Sequence, residues 1–146
     1  MLLITHGWKK DHFGGRQQYS RCLIESLNKN SYNDLEIYNI NPYIKQNFSD
    51  KFFSLKTDYL SNIDISNIIK IIKKNKTKIV IIDCSTMGLL CKKIKFFNKD
   101  IQIMIIHHHI ECSFFVKLFY NSKNIKNLFI AFKMYINEYL STKYSN

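Results

Sequence analysis

Short apolar runs alternate along this chain with longer segments in which apolar residues recur every three or four positions. The runs that predict strands cover residues 2–5, 35–40, 78–83 and 101–106. Helices are predicted from near Arg16, after a cap at Asp64, after a turn over residues 84–88, and from Asn124 onward. This alternation is typical of β-α-β units. We therefore predict an α/β fold: a Rossmann-like parallel sheet with helices on both faces.

Two parts of the pattern are less regular. Residues 43–61 carry scattered phenylalanines among polar residues, and we predict no definite element there. The predicted last helix has an apolar stripe at helical spacing. This stripe consists of Ile125, Leu128, Phe129, Phe132 and Ile136.

Length and charge narrow the class of protein. The chain has 146 residues, so residues 1–146 are expected to form a single domain. Its formal net charge is +11, with nine lysines between residues 70 and 99. Such a charge fits a polyanionic partner, but it also fits solvated lysines in a chain rich in Ile, Lys and Asn. No helix-turn-helix, zinc-finger or RNP motif is present, so nucleic acid is not an expected partner.

The cysteines and apolar runs bear on localisation. Cys22, Cys84, Cys91 and Cys112 show no C-x-x-C spacing, and no signal-peptide pattern precedes them. We therefore expect reduced thiols and a cytoplasmic protein. An aromatic, basic stretch at residues 114–120 has two interpretations: peripheral contact with the inner face of a membrane, or burial against another domain.

Candidate chemistry follows the ends of the predicted strands, where open parallel sheets bind their ligands. After the first strand, Gly14 and Gly15 open a helix whose free N–H groups favour an anion, and Arg16 adds a positive charge. A flexible loop is the alternative. After the third strand, Asp83 is interpreted as the acceptor of a turn, while Ser85 is free to bind a hydroxylated ligand.

The fourth strand ends in His107, His108 and His109, followed by Ile110 and Glu111. If the strand continued, the histidines would alternate in direction, so all three would not face one metal ion. No metal is therefore expected, although Cys84 or Cys112 with a histidine is an alternative zinc set. We interpret the histidines and Glu111 as hydrogen-bonding and proton-handling groups, with a solvated run as the alternative for His107 and His109.

In their order along the chain, these motifs resemble the N-terminal, acceptor-side domain of GT-B fold glycosyltransferases of family four. Residues 2–5 and 14–16 resemble the family's opening strand and its Gly-Gly before a helix. Residues 83–88 are similar to its Asp-Gly-Ser strand end, with Cys84 in place of Gly. Residues 107–111 resemble its Phe-His-Asn-Val-Glu, with His107 and His109 as departures from that pattern.

The resemblance implies transfer of a sugar from a nucleotide-sugar donor to a glycan or lipid-linked acceptor, with no further cofactor. It implies that His108 makes the catalytic contact and that the donor phosphates lie near Gly14, Gly15 and Arg16. The residues implied to contact acceptor or sugar are Ser85, His109 and Glu111. In the family a second, C-terminal domain binds the donor, and we expect this chain to lack it and to need a separate C-terminal half. The alternative is a non-catalytic binding or partner protein with the same fold.

Overall fold

A computed structural model describes residues 1–6, 15–29, 34–40, 55, 60–108 and 110–145. The predicted α/β class is confirmed in these residues, which form a parallel sheet flanked by helices. The strands, in chain order β1 to β4, are Leu2–His6, Glu36–Ile40, Ile79–Ile82 and Gln102–Ile105. The helices, α1 to α5, are Gly15–Lys29, Asn62–Lys74, Gly88–Phe97, Glu111–Ser122 and Ile125–Tyr144.

All strand pairs in the sheet are parallel, in the order β2-β1-β3-β4. Strand β1 lies between β2 and β3, with Leu3 beside Ile37 on one side and Ile81 on the other. The chain therefore leaves β1 toward one edge and crosses back to continue toward the other. This reversal creates a topological switch point between β1 and β3.

Alternating residues of the strands pack against different helices, as the pleat requires. Leu3 and Ile81 lie with Ile24 of α1 in one buried cluster. The larger cluster lies on the other face, where α2 and α3 pack. Its buried members include Leu2, Ile4, Val80, Ile82, Ile68, Ile72, Leu90 and Ile94. The central strands β1 and β3 are thus covered on both faces, which explains their nearly continuous apolar runs. The edge strands are covered less completely, since Ile37 of β2 and Met104 of β4 are exposed.

Helix α2 begins earlier than the sequence predicted. Its N-cap is Ser61, whose side chain accepts from the Asp64 N–H, while the Asp64 carboxylate accepts from the Ser61 N–H. This reciprocal pair is a capping box, so the prediction of Asp64 as the cap was wrong by three residues. Asp64 also accepts a hydrogen bond from the Tyr38 hydroxyl at 2.8 Å, which ties α2 to β2.

Helix α5 packs against both α3 and α4. Its buried positions are small or polar, namely Ala131, Lys133, Asn137 and Ser141. The helix predicted from Asn124 onward is confirmed, but most of its apolar stripe does not face the core, because Ile125, Leu128, Phe129 and Phe132 are all exposed. The close approach of α3 and α5 needs small residues at the contact, such as Gly88 of α3 and Ala131 and Ser141 of α5. The large apolar side chains of α5 therefore lie on its other side. No helix of the described residues is long and apolar enough to span a membrane.

Candidate functional site

A cluster of polar side chains lies at the carboxyl ends of β1 and β3, at the switch point of the sheet. Thr5 belongs to β1, and Asp83 directly follows β3. The Asp83 N–H continues the ladder by donating to the Ile4 carbonyl at 2.9 Å. Both side chains are buried. This edge is where open α/β sheets bind ligands, so its polar groups are the first candidates for function.

Asp83 is the centre of the cluster, and its carboxylate is hydrogen-bonded to residues from β1, from α1 and from the segment that follows β4. Thr5 donates from β1 at 3.1 Å, and Ser20 donates from α1 to the same oxygen, Oδ2. The other oxygen, Oδ1, lies 2.6 Å from Nε2 of His108. The interpretation of Asp83 as the acceptor of a turn was therefore wrong. A buried carboxylate needs hydrogen-bond partners of this kind, because burying it without them would strongly destabilise the fold.

His108 extends the cluster from the interior to the surface. The Asp83 side chain is 1% exposed, whereas that of His108 is 17% exposed. The Tyr19 ring of α1 packs edge-to-face on the imidazole, with centroids 5.1 Å apart and planes at 88°. The imidazole is thus fixed through one nitrogen by a carboxylate and on its face by an aromatic ring. A side chain held in this way is preorganised, which favours binding and catalysis.

The hydroxyl groups beside Asp83 are not arranged as nucleophiles. A serine or threonine nucleophile needs its hydroxyl bonded to a base such as histidine. Here Thr5 and Ser20 donate to the carboxylate instead. The chemistry open to the cluster is therefore hydrogen bonding and proton handling by His108, supported by Asp83.

The sequence-predicted site residues fall in three places. Gly14 and His109 lie outside the described residues. Gly15 is the first residue of α1, and Arg16 lies in its first turn, so both follow β1 as predicted. Ser85 is buried in the turn after Asp83, and Glu111 is the first residue of α4. Of the predicted residues, only His108 is brought into the Asp83 cluster by the hydrogen bonds described above.

The start of α4 is occupied by a carboxylate from α5. Glu138 accepts a hydrogen bond from the Glu111 N–H at 2.6 Å. Burial, and then the hydrogen bond to Glu138, raises the pKa of the Cys112 thiol to about 11. This thiol is therefore protonated at neutral pH. A carboxylate at a helix N-terminus stabilises the helix through its dipole and its free N–H groups.

The alternative zinc set finds no geometric support. In the part of the chain that the structure describes, no group of three or more His, Cys, Asp or Glu side chains is placed to hold a metal ion. Cys84 lies 2.9 Å from the Thr86 hydroxyl, and burial is the largest cause of the raised pKa of Cys112, about 11. Metal ligation requires the thiolate, and burial disfavours that form.

Sequence reasoning missed the residues that support His108. Thr5 and Asp83 were placed at the correct edge of the sheet, but nothing in the pattern paired them. Tyr19 and Ser20 lie in the helix predicted from near Arg16, and no role at the site was predicted for them. A signal was present in Ser20, a small polar residue among the apolar positions of that helix, since such a position commonly faces a buried polar partner.

Comparison with known proteins gives no match: no protein-family profile, no curated protein sequence and no solved structure matches this chain. The structure itself defines the class of protein: an α/β domain with a parallel sheet and a polar cluster at its switch point.

Proposed function

We propose that this chain is the acceptor-side domain of a GT-B fold glycosyltransferase. In this proposal it acts with a donor-binding half to transfer a sugar from a nucleotide-sugar to a glycan or lipid-linked acceptor. The observation that carries the proposal is the His108–Asp83 pair at the switch point of the sheet. The resemblance of residues 107–111 to the family's histidine motif implied a catalytic contact at His108, and the pair gives that residue a fixed orientation.

The surroundings of the pair are consistent with this role. Helix α1 begins at Gly15, and its Ser20 donates a hydrogen bond to the Asp83 carboxylate. A helix that starts after the first strand directs its N-terminal N–H groups toward the crevice, where a donor diphosphate would be stabilised. The net charge of +11 favours the approach of such an anion.

The role of His108 in this proposal is electrostatic and positional. Glycosyl transfer develops charge on the sugar and the leaving group, and fixed hydrogen-bonding groups stabilise that charge without reorganising. An imidazole restrained by Asp83 and Tyr19 meets this requirement. The proposal therefore expects His108 to contribute more to turnover than to the fold.

Binding of ligands to the whole chain tests the proposal. Isotope-labelled protein is titrated with UDP-glucose, with GDP-mannose and with a neutral oligosaccharide, and amide shifts are followed by NMR. We expect shifts that cluster around Thr5, Ser20, Asp83 and His108, and that are lost in His108→Ala. The matched control is His107→Ala, since this neighbour is exposed. Shifts that survive His108→Ala would favour the non-catalytic binding protein, and shifts remote from the cluster would contradict both.

A transfer assay tests the catalytic part. Residues 1–146 are incubated with labelled nucleotide-sugars, alone and together with a donor-binding half, supplied on the same chain or as a second protein. We expect transfer only when the donor-binding half is present, and its loss on His108→Ala. Turnover by the chain alone would contradict the proposed division of the active site between two halves.

A further inference from the structure

We infer that Asp83 is a positioning residue that fixes the tautomer of His108, leaving Nδ1 as the hydrogen-bond acceptor for a ligand hydroxyl. This inference rests on the proposed function and deepens it by naming the chemical group that the site accepts. Hydroxyl groups are abundant on sugars, and each can donate one hydrogen bond.

The first step concerns Asp83. An ionised carboxylate only accepts hydrogen bonds, whereas the hydroxyl groups of Thr5 and Ser20 can donate to it. Both donate to Oδ2, so Oδ1 is the oxygen that meets Nε2 of His108, at 2.6 Å. With the carboxylate as the acceptor on both oxygens, we assign the hydrogen atom of this contact to Nε2 of His108.

The second step concerns the other ring nitrogen. In neutral imidazole one nitrogen carries the hydrogen and the other presents a lone pair. Since Nε2 carries it here, Nδ1 presents the lone pair. Among the described residues, Nδ1 of His108 has no hydrogen-bond partner, and the side chain is 17% exposed. Within the described part of the chain this nitrogen is therefore an acceptor without a partner, and it suits a group that donates.

The third step concerns orientation. Tyr19 packs edge-to-face on the imidazole at 5.1 Å, so rotation of the ring would disrupt both this contact and the hydrogen bond to Asp83. The acceptor nitrogen thus has a fixed direction. A site of this kind discriminates against a ligand that lacks the hydroxyl, because the partner group is then left without its hydrogen bond.

The tautomer is measured directly by imidazole ¹⁵N NMR of the whole chain near pH 8, without ligand. His108→Gln assigns the signals by removing them. We expect a protonated Nε2 and an unprotonated Nδ1 in the wild-type protein. In Asp83→Asn the new amide can either accept or donate, so we expect a mixture of tautomers. The matched control is Asp100→Asn, an exposed residue, which should leave the His108 signals unchanged.

A wild-type spectrum with protonated Nδ1 would overturn the inference, and this measurement needs no variant that might fail to fold. An Asp83→Asn protein that folds and keeps a single tautomer with protonated Nε2 would overturn the role of Asp83. The ligand part is tested by adding the neutral oligosaccharide and following the Nδ1 shift. Binding without a change at Nδ1 overturns that part. A confirmed tautomer with no ligand binding leaves the positioning role standing and counts against the proposed function instead.

Discussion

Gly88 and Asn137 bring two helices into main-chain contact. A Cβ atom on Gly88 would lie 2.0 Å from the Asn137 carbonyl oxygen and 2.7 Å from Cβ of Leu140. Asn137 also accepts a hydrogen bond from the Leu89 N–H at 3.2 Å through its side chain. The start of α3 and the middle of α5 are therefore joined by a contact that only glycine permits.

Replacing this glycine should separate the helices. We expect Gly88→Ala to lower the free energy of unfolding by about 1–3 kcal/mol, because the backbone oxygen cannot move aside as a flexible side chain would. Urea unfolding followed by circular dichroism measures the change. Lys93→Ala, an exposed change in the same helix, should stay within about 0.5 kcal/mol of wild type. Equal stability of the two variants would show that the contact is looser than described.

The Tyr38 hydroxyl should make stability depend on alkaline pH. Burial, and then the hydrogen bond to Asp64, raises the pKa of Tyr38 to about 12. The folded pKa lies above the unfolded value of about 10, so the stabilisation is complete below about pH 10 and is lost as the pH rises toward about 12. Unfolding free energies at about pH 9 and about pH 11 measure this loss. Tyr38→Phe is the matched control, and it should lose less stability over the same interval.

The Cys112 thiol should become more reactive when Glu138 is neutralised. Burial is the larger cause of its raised pKa of about 11, and the hydrogen bond to Glu138 comes next. We expect Glu138→Gln to lower the pKa of this thiol and to shift the pH profile of its alkylation by iodoacetamide to lower pH. The experiment is done in a Cys22→Ser background, since Cys22 is exposed. An unchanged profile would assign the whole shift to burial.

Ser61 should stabilise α2 through its cap. Its side chain accepts a hydrogen bond from the Asp64 N–H at 3.0 Å, which satisfies an N–H group of the first turn. We expect Ser61→Ala to cost about 0.5–2 kcal/mol of unfolding free energy, and Ser61→Asn to recover most of the loss. Thermal or urea unfolding measures both variants. A variant Ser61→Ala as stable as the wild type would contradict the cap.

The outward face of α5 should tolerate substitution. Phe132 is 57% exposed, whereas Ile94 of α3 is fully buried. We expect Phe132→Ser to change the free energy of unfolding by no more than about 1 kcal/mol. Ile94→Ala should lose about 2–5 kcal/mol, because it removes buried methyl groups and leaves a cavity. A large loss at Phe132, measured by urea unfolding, would contradict the exposure of this side chain.

Much of the fold could be predicted because the strands are short apolar runs that end at polar residues. All four predicted strands are present, and no end differs by more than one residue. Helix α4 was not predicted, because residues 114–120 are almost all apolar and show no helical period. The exposure of the apolar stripe of α5 could not be predicted, since an apolar face at helical spacing does not say whether another element covers it.

The candidate site could be predicted only in part. Residues after β3 and β4 were expected at the binding edge of the sheet, and His108 was singled out through a family resemblance. The partnership of His108 with Asp83 was not predicted, because hydropathy does not encode which strands are neighbours. Ser20 and Tyr19 were missed for the same reason, since their contacts depend on how α1 lies over the sheet.

The convergence on Asp83 links the site to the assembly of the whole sheet. Its carboxylate is bonded to residues that are 78, 63 and 25 positions away in the chain. Each of these bonds closes a long loop. The bonds to Thr5 and Ser20 need β1 and α1 in place beside β3, and the bond to His108 needs β4 beside β3. The site is thus a reporter of late folding. A ligand bound there should stabilise the entire domain by about 2.7 kcal/mol when its concentration is a hundred times its dissociation constant. Its binding should therefore raise the melting temperature.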